Sequence, residues 1–128
     1  MDRSSDWLKQ AERDVQSAEN SAAAGFHEWA AFAAQQCAEK AAKALVESLH
    51  GSVRGHSITG ILQQIPASLG VPADVLDAAR ELDQVYLTAR YPNGFASGAP
   101  TDYFSENTSR RLLHHARTIL EFCRSAIH

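Results

Sequence analysis

The stretch from Phe26 to His50, FHEWAAFAAQQCAEKAAKALVESLH, constrains the fold more than any other part of this chain. Ala30, Ala31, Ala33, Ala34, Ala38, Ala41, Ala42 and Ala44 combine strong helix propensity with side chains small enough for neighbouring helices to approach closely on more than one side. The expectation is a long central helix, with Trp29, Phe32, Cys37 and Leu45 supplying the bulk that fills the core around it. Gln35, Gln36, Glu39, Lys40 and Lys43 are more polar groups than a purely structural spine needs, and they are the first indication of a site.

The flanking sequence supplies partners for this spine. Leu8, Ala11, Val15, Ala18 and Ala22 recur at the three-and-four spacing of one buried stripe, with Ser4 or Ser5 as the expected cap of a first helix running to about Ala24. Gly25 ends it and leaves a very short turn, so the first two helices should form an antiparallel hairpin. Ser57 caps a short helix through Ile58, Ile61, Leu62 and Ile65, closed by Pro66. Ala73 opens a further helix carrying Val75, Leu76, Ala79, Leu82 and Tyr86, which Pro92 stops by about Arg90. The segment YPNGFASGAPTDY, 91–103, mixes turn formers with apolar side chains, as expected of a loop laid against the surface. Ser105, with Glu106 behind it, starts a last helix whose stripe is Leu112, Leu113, Ala116, Ile119, Leu120, Cys123 and Ile127. The pattern predicts an all-α protein: an up-and-down four-helix bundle with one additional short helix, forming a single domain over 1–128.

Composition narrows the function classes. A net charge of -3 argues against a general electrostatic grip on nucleic acid, though it leaves room for a local basic patch. Cys37 and Cys123 fall on apolar stripes and are expected as reduced, structural thiols. Neither a signal-peptide core nor a run of 18 apolar residues is present, so the expected location is the cytoplasm, away from membranes. No His, Cys and carboxylate set has ligand spacing, so no metal site is expected.

Three constellations are candidates for chemistry. Asp83, Tyr86 and Arg90 share one side of a helix; an arginine at the helix terminus suits bidentate phosphate binding and Tyr91 suits base stacking, while the structural alternative is an Asp83–Arg90 pair that anchors the loop. Lys40 and Lys43, with Arg54 and His56 in the turn after the spine, offer one cationic wall for an anion, against the alternative of ordinary solvated side chains. The last helix carries Arg110, Arg111, His114, His115, Arg117 and Arg124 against only Glu106 and Glu121. Arg110 and His115 form an R-x-x-x-x-H pattern of the kind that supports metal-free RNA cleavage. Five residues of helix, however, rotate those two side chains about 140° apart.

The stretches WLKQAERDVQSA, EWAAFAAQQCAEKAAKAL, GHSITGILQQI and LDQVYLTARYPNG together resemble the HEPN domain family, the higher eukaryote and prokaryote nucleotide-binding domain. The resemblance implies a helical bundle that dimerises, binds nucleotides or RNA, and often works beside a separate minimal nucleotidyltransferase. Some relatives are ribonuclease toxins that use an arginine and a histidine four to six residues apart, yet no histidine follows Arg90 within that distance. The expected function is therefore a non-catalytic, dimeric nucleotide-binding module. It would need no cofactor, would take ATP or GTP as its ligand, and would use Lys40, Lys43, His56, Arg90 and Tyr91 as contacts with Asp83 and Tyr86 in support. The alternatives are a metal-independent RNase toxin using Arg110 and His115, and a ligand-free assembly scaffold.

Overall fold

A computed structural model describes residues 2–127. They form α1 (Ser4–Ala23), α2 (His27–Ser48), α3 (Ile58–Leu62), α4 (Ala73–Asp83), α5 (Val85–Thr88), a 3₁₀ turn (Pro92–Gly94), α6 (Pro100–Tyr103) and α7 (Glu106–Ala126). The expected all-α bundle is present, its long helices being α1, α2, α4 and α7, and among the described residues there is no strand.

Helix α2 is the spine. It packs mainly on α1 and α7, and α4 closes the bundle on α7. Ala31, Ala34, Ala38, Ala41 and Ala42 are fully buried on α2, so the backbones around it approach closely and the bulk comes from neighbours such as Leu82, Leu112 and Ile119. Phe26 and Trp29 lie outside the core, and for Trp29 this departs from expectation: they are 57% and 52% exposed. With alanine occupying several faces of α2, the inward positions fill with small side chains, and the indole is left over the outer groove between α1 and α2.

The helix ends show which local signals held. Ser105 and Ser57 cap as expected, accepting from Thr108 N at 3.2 Å and Gly60 N at 3.0 Å. At α1 the capping oxygen belongs to neither Ser4 nor Ser5: Asp2 accepts the Ser4 amide at 2.7 Å, and this bond holds the Asp2 carboxyl below its ordinary range. Gly25, at φ 86°, closes α1 with bonds from Gly25 N to Ala22 O and from Phe26 N to Ser21 O, which turns the chain directly into α2.

Regular hydrogen bonding in α4 lapses at Gln84, before the Arg90 expected from sequence. Gln84 keeps right-handed dihedrals, φ -71° and ψ -19°, so the direction persists through α5 to the turn that carries Arg90. The 91–103 segment does lie against the bundle, with Pro100 buried and α6 packed on α2, while Phe95 stacks on Tyr103 within the segment at 4.0 Å. It contains the 3₁₀ turn and α6, more regular structure than its turn-rich composition suggests. No helix among the described residues is long and apolar enough to cross a membrane.

Candidate functional site

The polar residues of the spine form a buried network. Glu39, 3% exposed, lies between Lys43 Nζ at 3.0 Å and His56 Nδ1 at 3.1 Å, and it also accepts from Gln35 Nε2 at 3.2 Å. A buried carboxylate is tolerable only when it is paired and fully hydrogen-bonded, and here three donors from α2 and the α2–α3 turn surround it. Because the carboxylate faces Nδ1, that nitrogen carries the proton of a neutral His56 and Nε2 faces away from the network. The His56 ring then stacks on Tyr86, with centroids 4.3 Å apart and an interplanar angle of 17°.

Tyr86 connects His56 to Arg90. The Arg90 guanidinium carbon stands 4.3 Å from the Phe32 ring centroid, 4.9 Å from that of Tyr86 and 5.0 Å from that of Tyr91, and Arg90 Nε donates to the Tyr86 carbonyl at 3.3 Å. Three rings thus hold the cation, each such contact contributing about 0.5–1 kcal/mol. Among the described residues no carboxylate pairs with Arg90, whereas Arg3, Arg80, Arg110, Arg111, Arg117 and Arg124 each have one. An oriented cation with its terminal nitrogens uncommitted suits an anionic oxygen.

Asp83 does not pair with Arg90. Its carboxylate accepts from Ile58 N at 2.7 Å, Thr59 N at 3.1 Å and Ser57 Oγ at 3.3 Å, closing the N-terminus of α3 from the end of α4. The amide donors of a helix start outcompete a guanidinium that the aromatic rings already hold. By fixing Ser57 and Ile58, Asp83 also places the neighbouring His56 against Tyr86.

Lys40 and Lys43 do not form one cationic wall with His56. Lys43 turns inward to Glu39, with its ammonium 5.3 Å from the Trp7 ring, while Lys40 pairs with Asp14 of α1 at 2.7 Å. Lys40 instead joins Trp29, Phe32, Ala33 and Gln36 along a groove of about 460 Å³ between α1 and α2. His56 borders a second groove with Ser57, Asp83, Tyr86 and Leu87. Phe32 belongs to the first groove and packs on Tyr86 of the second, at 6.2 Å. Sequence reasoning misses Phe32 as a site residue: its position on the spine points to the core, and nothing local to it signals a partner as distant along the chain as Arg90.

Arg110 and His115 are apart, as their helical offset requires. Arg110 pairs with Glu106 at 2.8 Å on the surface, whereas His115 Nε2 meets Glu81 of α4 at 2.6 Å and shares that carboxylate with Arg111. Among the described residues no three His, Cys, Asp or Glu side chains are grouped to hold a metal ion.

The fold and the site define a helical-bundle protein whose surface presents an aromatic-held arginine beside a carboxylate-oriented histidine. A family model for the HEPN domain matches residues 4–126, and the chain belongs to the HEPN domain family. It is similar to TT1696 from Thermus thermophilus, with a TM-score of 0.95 and 36% identity over 98% of this chain and 99% of that one. It is also similar to ST0689, described as an archaeal HEPN homologue, with a TM-score of 0.85 and 38% identity over the full length of both chains. A HEPN domain protein of Thermotoga maritima, tm0613, matches with a TM-score of 0.75 and 29% identity over 93% of this chain and 94% of that one. A comparison with curated proteins returned no match.

Proposed function

We propose that this protein is a non-catalytic nucleotide-binding module that works as a dimer beside a separate minimal nucleotidyltransferase. The observation that carries the binding role is Arg90: a half-buried guanidinium, held by three rings and without an acidic partner among the described residues, beside an exposed Tyr91 and an oriented His56. In this reading Arg90 binds phosphate oxygens, and Tyr91 and His56 complete the contacts. Lys40 lies at one end of the adjoining groove, and Lys43 acts through Glu39, whose charge it balances. The separation of Arg110 from His115 supports a binding role over a nuclease one. The dimer and the nucleotidyltransferase partner rest on the family resemblance, and the cytoplasmic location rests on the expectation drawn from the sequence.

Ligand binding to the native state raises its stability, by about 2.7 kcal/mol at a ligand concentration one hundred times Kd. ATP or GTP at millimolar concentration should therefore raise the melting temperature of the purified protein. Arg90→Ala should weaken binding about tenfold or more, as expected when a charge-assisted hydrogen bond worth roughly 1.5–3 kcal/mol is lost. A nucleotide-induced shift of the same size in Arg90→Ala would refute the assignment.

A further inference from the structure

The groove between α1 and α2 has a chemistry of its own, and the direction of its hydrogen bonds is determined by the buried network behind it. Gln35 Nε2 lies 3.2 Å from Glu39 Oε1 and 3.3 Å from the His56 carbonyl. Both of those groups accept only, so the Gln35 amide nitrogen must face them and its Oε1 must point the other way. Gln36 meets that Oε1 at 2.8 Å, and can do so only by donating with its own Nε2. Gln36 Oε1 is therefore committed as an acceptor. Among the described residues nothing donates to it, and it is not among the sealed, unpartnered polar atoms. Along the same groove Trp29 presents an indole that is 52% exposed, and Phe32 at its edge carries Arg90 on its ring.

We infer that this groove is the base subsite of a nucleotide: a nucleobase bearing an exocyclic amine, such as adenine, stacks on Trp29 and donates to Gln36 Oε1, while its phosphates extend past Phe32 to Arg90. The inference rests on the proposed nucleotide-binding role and adds the location and class of the base. An exposed indole is a sequence-tolerant stacking platform. The oriented acceptor is what favours an amine over a carbonyl or a bare ring position.

The test uses the full-length chain carrying Trp7→Phe, so that Trp29 is the remaining tryptophan. ATP, purine riboside 5′-triphosphate, which lacks the amine, and inorganic tripolyphosphate are titrated by calorimetry and by tryptophan fluorescence. ATP should quench Trp29 and bind about fivefold more tightly than the amine-free analogue, the scale of one hydrogen bond. Trp29→Ala should weaken ATP about tenfold while leaving tripolyphosphate unchanged. Gln36→Leu should bring ATP and the analogue level, with melting temperatures confirming that each variant folds. If tripolyphosphate binds as tightly as ATP and the fluorescence does not move, the base subsite is overturned while the Arg90 phosphate site survives. If Trp29→Ala changes the sedimentation behaviour but no affinity, the groove is instead a contact between copies and the inference fails. If none of the three ligands binds, the nucleotide reading fails with it.

Discussion

His50 adopts a left-handed backbone conformation, φ 67°, at the end of α2. The two bonds that close this helix, Gly51 N to Val46 O and His50 N to Glu47 O, repeat the arrangement that closes α1, where the left-handed position belongs to Gly25. A side chain in that region is strained by about 1–2 kcal/mol, partly offset by the greater freedom glycine has when unfolded. His50→Gly should therefore stabilise the protein by roughly 0.5–1 kcal/mol, read as a higher denaturant midpoint with an unchanged slope. Gly51 is fixed for a different reason: a Cβ there would stand 2.6 Å from Val46 Cγ1. At this scale the sequence was legible where the signal is local, as for the Ser57 and Ser105 caps and the Gly25 turn. It misled where the partner was not the expected neighbour: Asp2 caps α1, and Asp83 serves α3 in place of Arg90.

Among the helices, the seam between α4 and α7 rests on Glu81. Burial pushes the Glu81 carboxyl up, but hydrogen bonds from Arg111 and His115, together with their charges, outweigh burial and hold it below its ordinary range. A carboxyl whose folded pKa is depressed contributes stability that is present above its unfolded pKa and is lost as pH falls through the folded value. Glu81→Gln should accordingly lower stability near neutrality and flatten the loss of stability on acidification, as measured by denaturant midpoints from neutral to acid pH. Equal midpoint differences between the two proteins at every pH would contradict this assignment. Along the sequence α7 shows an excess of basic side chains, because only its own two glutamates, Glu106 and Glu121, can be counted against them. The acids that answer Arg111, Arg117 and Arg124 come from Glu81 of α4 and from Glu19 and Glu12 of α1. Such exposed pairs are each worth about 0–1 kcal/mol, so they set how the helices meet more than how firmly they hold.

At the scale of the molecule, the core that joins α2 to α7 contains both thiols. Cys37 and Cys123 are fully buried, and burial pushes each thiol up to about 12, so neither is a nucleophile at neutral pH. Their labelling by a thiol reagent should be negligible in the native protein and should rise only with the global unfolding transition. Rapid stoichiometric labelling without denaturant would show that the α2–α7 core opens locally.

The sequence by itself determined the helical class, the four long helices, the reduced thiols and the spine on which the polar residues sit. Each of these follows from propensity, period or a cap contained within a few neighbouring positions. Only the tertiary structure decided which polar residues belong together. Phe32, Tyr86 and Arg90 meet because α2 packs beside α5 and the turn that follows it. Lys40 and Lys43, close on one helix, part because Asp14 of α1 draws one outward while Glu39 holds the other in the buried network. A charge settles on whichever partner desolvation and geometry favour, and that partner is fixed by packing between elements distant along the chain.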